Sequence, residues 1–274
     1  MTLQLDGTLL LAGAGKMGGA LLAGWLDRGL APRQVIVQDP GPPPDVKAVL
    51  DRAGLVARPV VGPLDAPPAV LLLAVKPQIM EDVLPGLVKL AGPRTLVLSV
   101  AAGRTLTSFE KHFAPGTAIV RSIPNTPASV GRGITACVAN QHVDAGQRRL
   151  CDALLGAVGA VGWVEDEGLI DVATAVSGSG PAYVFYMAEA LAQAGVKAGL
   201  TPELARRLAD ATIAGAGELL HRSGEDPAQL RRNVTSPNGT TAAALEVLMA
   251  GDGLAPLMER AVAAAARRSR ELSA

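Results

Sequence analysis

The chain has 274 residues, enough to bury one sizeable core and to leave room for a second. Its 25 basic and 25 acidic side chains cancel and aromatics are 3%, so the clustered cations and stacking rings of a nucleic-acid surface are missing. Two cysteines without a CxxC and three scattered histidines exclude a disulfide framework and a Cys-rich metal site, and no run approaches the roughly 20 apolar residues of a membrane span. Along the chain, Leu9–Leu11 lead into Ala12-Gly13, which predicts a buried parallel strand. A helix follows over 16–28, ended by Gly29, then a strand at Val35–Val37 and a proline loop over 40–44. Asp45 is expected to cap a helix ending near Gly54. Val70–Val75 is the strongest strand signal, and Pro77 suits a first helical turn. Leu96–Val100 predicts another strand, and Thr107-Ser108-Phe109-Glu110 matches a capping box. Strands at 117–121 and 134–139, a helix over 144–155 and a strand near Val161 complete this half. Strands alternating with helices imply a parallel, doubly wound sheet.

After Trp163 only helices are predicted: 181–197, 201–222 opened by Thr201-Pro202-Glu203, a short one after Asp226-Pro227, then 239–250 and 253–272. The fold class is therefore α/β: an N-terminal Rossmann-type sheet over 1–164 and an all-helical half over 165–274. Helices this rich in Ala and Gly bury little area each, so the helical half is expected to dimerise. Residues 1–8 contain Asp6 and lack a basic run, unlike a signal peptide, and the expected compartment is the cytoplasm.

Gly13-Ala14-Gly15-Lys16-Met17-Gly18 fits G-x-G-x-x-G between a strand and a helix, the context that makes the pattern a dinucleotide site. Gly13 permits the turn, Gly15 admits the pyrophosphate, Gly18 lets helix and strand approach, and the helix start offers N–H donors. Asp39 ends the second strand, where a carboxylate binds the adenine ribose and disfavours a 2′-phosphate; a solvated loop aspartate is the alternative. Ala74, Val75 and Lys76, and Ala101 and Ala102, follow the next two strong strands at the ligand side of the sheet. Lys76 is either a cofactor contact or a solvated lysine. Asn125, between Pro124 and Pro127, either holds an amide near a nicotinamide or shapes a turn.

Val234-Thr235-Ser236-Pro237-Asn238-Gly239-Thr240-Thr241 places four hydroxyls and a turn before a helix, a cradle for a small carboxylate. Simple capping by Ser236 or Thr240 is the alternative. Ser177-Gly178-Ser179-Gly180 also precedes a helix and reads as a close-packed junction.

The stretches GAGKMGGA, AVKPQ, SVAAG, RSIPNTPA, SGSGPAY and VTSPNGTT run in this order over essentially the whole chain. In them the chain resembles the pyrroline-5-carboxylate reductases. The resemblance implies reduction of a cyclic imine to L-proline with NADP(H) or NAD(H), in dimers joined through the helical half and often gathered as five dimers. It implies that Ser236, Gly239 and Thr240 hold the substrate carboxylate, that Thr241 meets the ring nitrogen, and that Asn233 supports the turn. Asn238 stands where that family usually has glycine, and the 38–45 loop lacks the serine or basic residues expected around a 2′-phosphate. A hydroxyacid-type dehydrogenase would want a lysine base, and Lys197 is the only lysine after Glu165. A dinucleotide sensor would need neither Ser236 nor Thr241. The reduction requires the Ser236–Thr241 helix start to face the nicotinamide.

Overall fold

A computed structural model describes residues 3–273. They form two compact units: the chain up to Gly178 together with the residues from Ala265 onward, and Ser179–Ala264. The first unit runs β1 (Leu9–Ala12), α1 (Lys16–Asp27), β2 (Val35–Gln38), α2 (Pro44–Ala53), β3 (Ala57–Arg58), β4 (Val70–Leu73), α3 (Met80–Val88), β5 (Leu96–Ser99), α4 (Leu106–Glu110), β6 (Ala118–Ile123), β7 (Gly133–Ala139), α5 (Ala145–Leu155), β8 (Gly159–Trp163) and α6 (Leu169–Ala173). The strands form one sheet in the order β3-β2-β1-β4-β5-β6-β7-β8. The order reverses between β1 and β4, the switch point at which doubly wound sheets bind ligands.

Every strand pair but one is parallel; β6 and β7 are antiparallel. This departs from the wholly parallel sheet expected. The cause is length: residues 124–132 are too few for a crossover helix, so the chain turns back on itself. Because side chains alternate along a strand, β1 feeds two cores. Leu9 and Leu11 pack with Leu21, Leu22 and Trp25 of α1 on one face. Leu10 packs with Leu71, Leu73, Val97 and Ile119 on the other.

Three local expectations change. The cap of α4 is Thr105, whose Oγ1 accepts from the Ser108 N–H, while Thr107 lies inside the helix. α2 starts one residue before Asp45, with Pro43 at its cap position and Asp45 in its first turn. α6 and the π-helical turn Thr174–Gly178 have no counterpart in the sequence reading, and Ile170 of α6 is fully buried in the second core. The helix over 145–155 carries a reciprocal capping box between Asp144 and Gln147.

The second unit holds α7 (Gly180–Lys197), α8 (Pro202–Ser223), α9 (Pro227–Asn233), α10 (Thr240–Leu248) and the start of α11 (Leu254–Ser273). Thr201 and Asp226 cap α8 and α9 as their Thr-Pro and Asp-Pro starts predict. α7 and α10 bury no residue, and α8 buries only Ala205 and Ala209. Among the described residues no helix is long and apolar enough to cross a membrane.

Candidate active site

Each glycine of the first loop does something different. Gly13 has φ of 94° and its amide donates to the Gln38 carbonyl, so the chain turns tightly off β1. A Cβ on Gly18 would lie 2.0 Å from the Gly13 carbonyl oxygen, so this glycine lets α1 start against the end of β1. A Cβ on Gly15 would meet nothing within 4 Å. The space beside Gly15 is open, and Gly15 caps α1 without any side-chain bond to its first N–H groups. An open space beside uncapped donors of a helix start fits a pyrophosphate. Lys16 is exposed, Met17 is half-buried and Ala14 is buried.

Asp39 follows β2 and reaches across to that loop. Its Oδ2 accepts from the Ala14 N–H at 2.7 Å and its Oδ1 from the Gly41 N–H at 2.8 Å. Ala74, Val75 and Lys76 leave the end of β4, with the Ala74 amide donating to the Ala12 carbonyl at 2.7 Å. Ala101 and Ala102 leave β5, and the Ala101 N–H donates to Ser99 Oγ. These ends of β1, β2, β4 and β5 lie side by side in the sheet. Lys76 is exposed and begins the turn into α3.

Asn125 is tied down at both ends of its amide. Its Nδ2 donates to the Ser177 carbonyl at 3.0 Å, and its Oδ1 accepts from the Ile134 N–H at 2.9 Å. It is 8% exposed and joins the turn after β6 to β7 and to the π-helical turn. These partners belong to the protein, and they make Asn125 the brace of that loop.

In the second unit the turn before α10 is built from backbone. The Thr235 and Gly239 N–H groups donate to Arg232 and Ser236 carbonyls, and the Thr235 hydroxyl donates to the Arg231 carbonyl at 2.6 Å. Asn238 has φ of 57°, the one left-handed non-glycine among the described residues, so it does what glycine would do there. A Cβ on Gly239 would lie 2.5 Å from Ser236 Oγ, so any larger residue at the cap position would have to turn that hydroxyl aside. No side chain caps α10. The N-cap position is a glycine, and Ser236, Thr240 and Thr241 flank this helix start in sequence. Asn233 ends α9, and its amide bonds Gln229 and Glu225 rather than the turn.

The part of the chain over 167–272 matches the family model for pyrroline-5-carboxylate reductase dimerisation, and 8–103 matches the model for NADP oxidoreductase, coenzyme F420-dependent. Across 95% of both chains, this one is 41% identical to pyrroline-5-carboxylate reductase of Pseudomonas aeruginosa. It is 43% identical to that of Synechocystis over 99% of both chains. The chain belongs to the pyrroline-5-carboxylate reductase family. Its fold agrees: a pyrroline-5-carboxylate reductase structure from Coxiella burnetii covers 98% of this chain and 100% of its own, at a TM-score of 0.88 and 34% identity. The Plasmodium falciparum pyrroline carboxylate reductase, a structure with NADP bound, aligns at a TM-score of 0.76 and 28% identity.

Membership gives the chain an NAD(P)H cofactor, an oxidoreductase activity and a dimerisation domain. Two features of the first unit had no sequence signal. A Cβ on Gly19 would lie 2.2 Å from Val46 Cγ2, so a fourth glycine lets α1 pack on α2. Arg121, 2% exposed, meets Glu167 at 2.8 Å, and the same Glu167 oxygen accepts the Leu106 N–H at 2.8 Å. A single carboxylate so holds β6, the start of α4 and the approach to α6. Neither cysteine is a nucleophile: burial raises the Cys137 thiol far above its ordinary range and pushes Cys151 up to about 12. Among the described residues no group of three His, Cys, Asp or Glu could hold a metal.

Proposed function

We propose that this chain reduces 1-pyrroline-5-carboxylate to L-proline, with the first unit holding NAD(P)H and the α10 start holding the substrate carboxylate. The cofactor supplies a hydride to the imine carbon. Gly13, Ala14, Gly15, Lys16, Met17 and Gly18 take the pyrophosphate, Asp39 the adenine ribose, and Ala74–Lys76 with Ala101 and Ala102 line the rest of the dinucleotide path. Asn125 shapes that path from behind. Ser236, Gly239 and Thr240 receive the carboxylate through hydroxyls and N–H groups, with the positive helix end adding to the attraction. Thr241, one residue into α10, orients the ring nitrogen. The imine accepts its proton on nitrogen in water, so the protein needs no strong acid; positioning is its main contribution.

The observation that carries this reading is the uncapped start of α10 beside Ser236, Thr240 and Thr241, in a turn braced by backbone bonds and the Thr235 hydroxyl. Pairing uses the apolar faces of α7, α8 and α10, where Phe185 is 68%, Tyr186 69% and Val247 72% exposed. The unit formed is a homodimer, with a decamer of five dimers as the larger assembly. The chemistry is placed in the cytoplasm, where buried thiols such as Cys137 and Cys151 stay reduced. In the test, pyrroline-5-carboxylate is added to protein with NADH or NADPH and the loss of cofactor absorbance is followed. Thr241→Ala should lower kcat about 100-fold with the cofactor Kd unchanged. Unchanged turnover would remove Thr241 from the reaction.

A further inference from the structure

We propose that Asp39 and the proline loop behind it make this chain an NADH enzyme that discriminates against NADPH. The inference rests on the cofactor reading above and concerns one end of that site. In a doubly wound sheet the residue after the second strand meets the adenine ribose, and a 2′-phosphate would land beside it.

Three observations converge there. The first is the carboxylate itself. Its two oxygens are fixed by the Ala14 and Gly41 N–H groups, which holds its charge over the glycine loop and prevents it from swinging away. Each oxygen keeps a lone pair for a ribose hydroxyl. The second is the loop backbone. Residues 40–44 read Pro-Gly-Pro-Pro-Pro, so the loop owns one N–H, that of Gly41, and Asp39 already uses it. A phosphate held by loop amides therefore has no donor to find. The third is charge. The next N–H groups belong to the first turn of α2, where Asp45 adds a second carboxylate and the exposed Lys47 offsets only one of the two charges. The cation that strand pairing brings nearest is Arg58, opposite Gln38, and it meets Asp39 through its carbonyl, which accepts the Asp39 N–H at 2.9 Å. A dianionic phosphate placed here faces a fixed negative charge, while two neutral hydroxyls gain charge-assisted bonds.

The experiment is a binding titration of the full-length protein with NADH and, separately, NADPH, read by cofactor fluorescence without substrate. The expected result is a Kd for NADH at least about tenfold below that for NADPH. Asp39→Asn keeps one acceptor for the Ala14 N–H and removes the charge. It should weaken NADH and tighten NADPH until the two differ by about threefold or less. NADPH binding as tightly as NADH in the unaltered protein would overturn the proposal. So would an unchanged ratio in Asp39→Asn, or a loss of NADPH binding in Arg58→Ala that shows a guanidinium holding the phosphate. Binding of neither cofactor would overturn the site itself, a failure distinct from a reversed preference.

Discussion

A methyl group is enough to separate the two duties of the glycine loop. Beside Gly15 the space is open, so Gly15→Ala leaves folding alone and places its methyl where a pyrophosphate must come. The expected result is a melting temperature within the equivalent of about 0.5 kcal/mol of the parent, with cofactor binding weakened tenfold or more, roughly 1.4 kcal/mol. Gly18→Ala drives the same methyl against the Gly13 carbonyl, a rigid neighbour, so α1 must shift off β1. That variant should lose about 1–3 kcal/mol of stability together with cofactor binding. Thermal melts and a fluorescence titration on both proteins check the pair, and equal stability losses would refute the division of labour. These roles were legible in the sequence because each follows from backbone geometry at a fixed spacing after a strand. Gly19 was not, because its reason is Val46 of α2, and no local pattern tells which helix will pack there. Asn125 was half legible: the rigid turn was visible, but the two partners of its amide lie nine and fifty-two residues away.

Elements are held at their ends by polar contacts that a periodicity reading passes over. Glu167 lies just before α6 and takes both the Arg121 guanidinium and the first N–H of α4. Arg121 is 2% exposed and its Nε is buried without a partner, whereas the Glu167 side chain is 27% exposed. The two halves of this pair are therefore unequal. Glu167→Ala leaves a buried guanidinium uncompensated and strips α4 of a cap, and should cost about 3–5 kcal/mol. Arg121→Met removes the buried charge and leaves a carboxylate that water can reach, at a cost of about 1–2 kcal/mol. Urea unfolding of the two variants reads the difference, and a larger loss in Arg121→Met would reject the account. The sequence showed the strand bearing Arg121 and the prolines after it. It did not show α6, which is only five residues long and whose stability comes from burying Ile170 rather than from helical pattern. The antiparallel turn into β7 was likewise hidden, since buried strands read alike in either direction and only connection length separates them.

At the scale of the molecule the two units are stabilised in different ways. The sheet unit closes two apolar cores around β1, β4 and β5. The helical unit buries little: eighteen residues of α7 bury none, and the twenty-two of α8 bury two alanines. Composition alone signalled this, since alanine and glycine permit close helix approach but remove little area from water. Phe185, Tyr186, Leu191, Leu208, Val247 and Met249 then remain as exposed apolar surface on helices of a dimerisation domain. A partner bound through a dimerisation domain would cover such a face, and its binding would become folding energy. If so, stability must depend on protein concentration: each tenfold dilution should remove about 1.4 kcal/mol from the folded dimer and lower the melting temperature steadily. Phe185→Asp puts a charge into that face and should yield monomers in sedimentation velocity at micromolar concentration. The altered chain should keep cofactor binding through its intact sheet unit while losing turnover. A melting temperature independent of concentration, with a parent protein that sediments as a monomer, would show instead that the helices are stable unpaired and that their apolar faces serve another purpose.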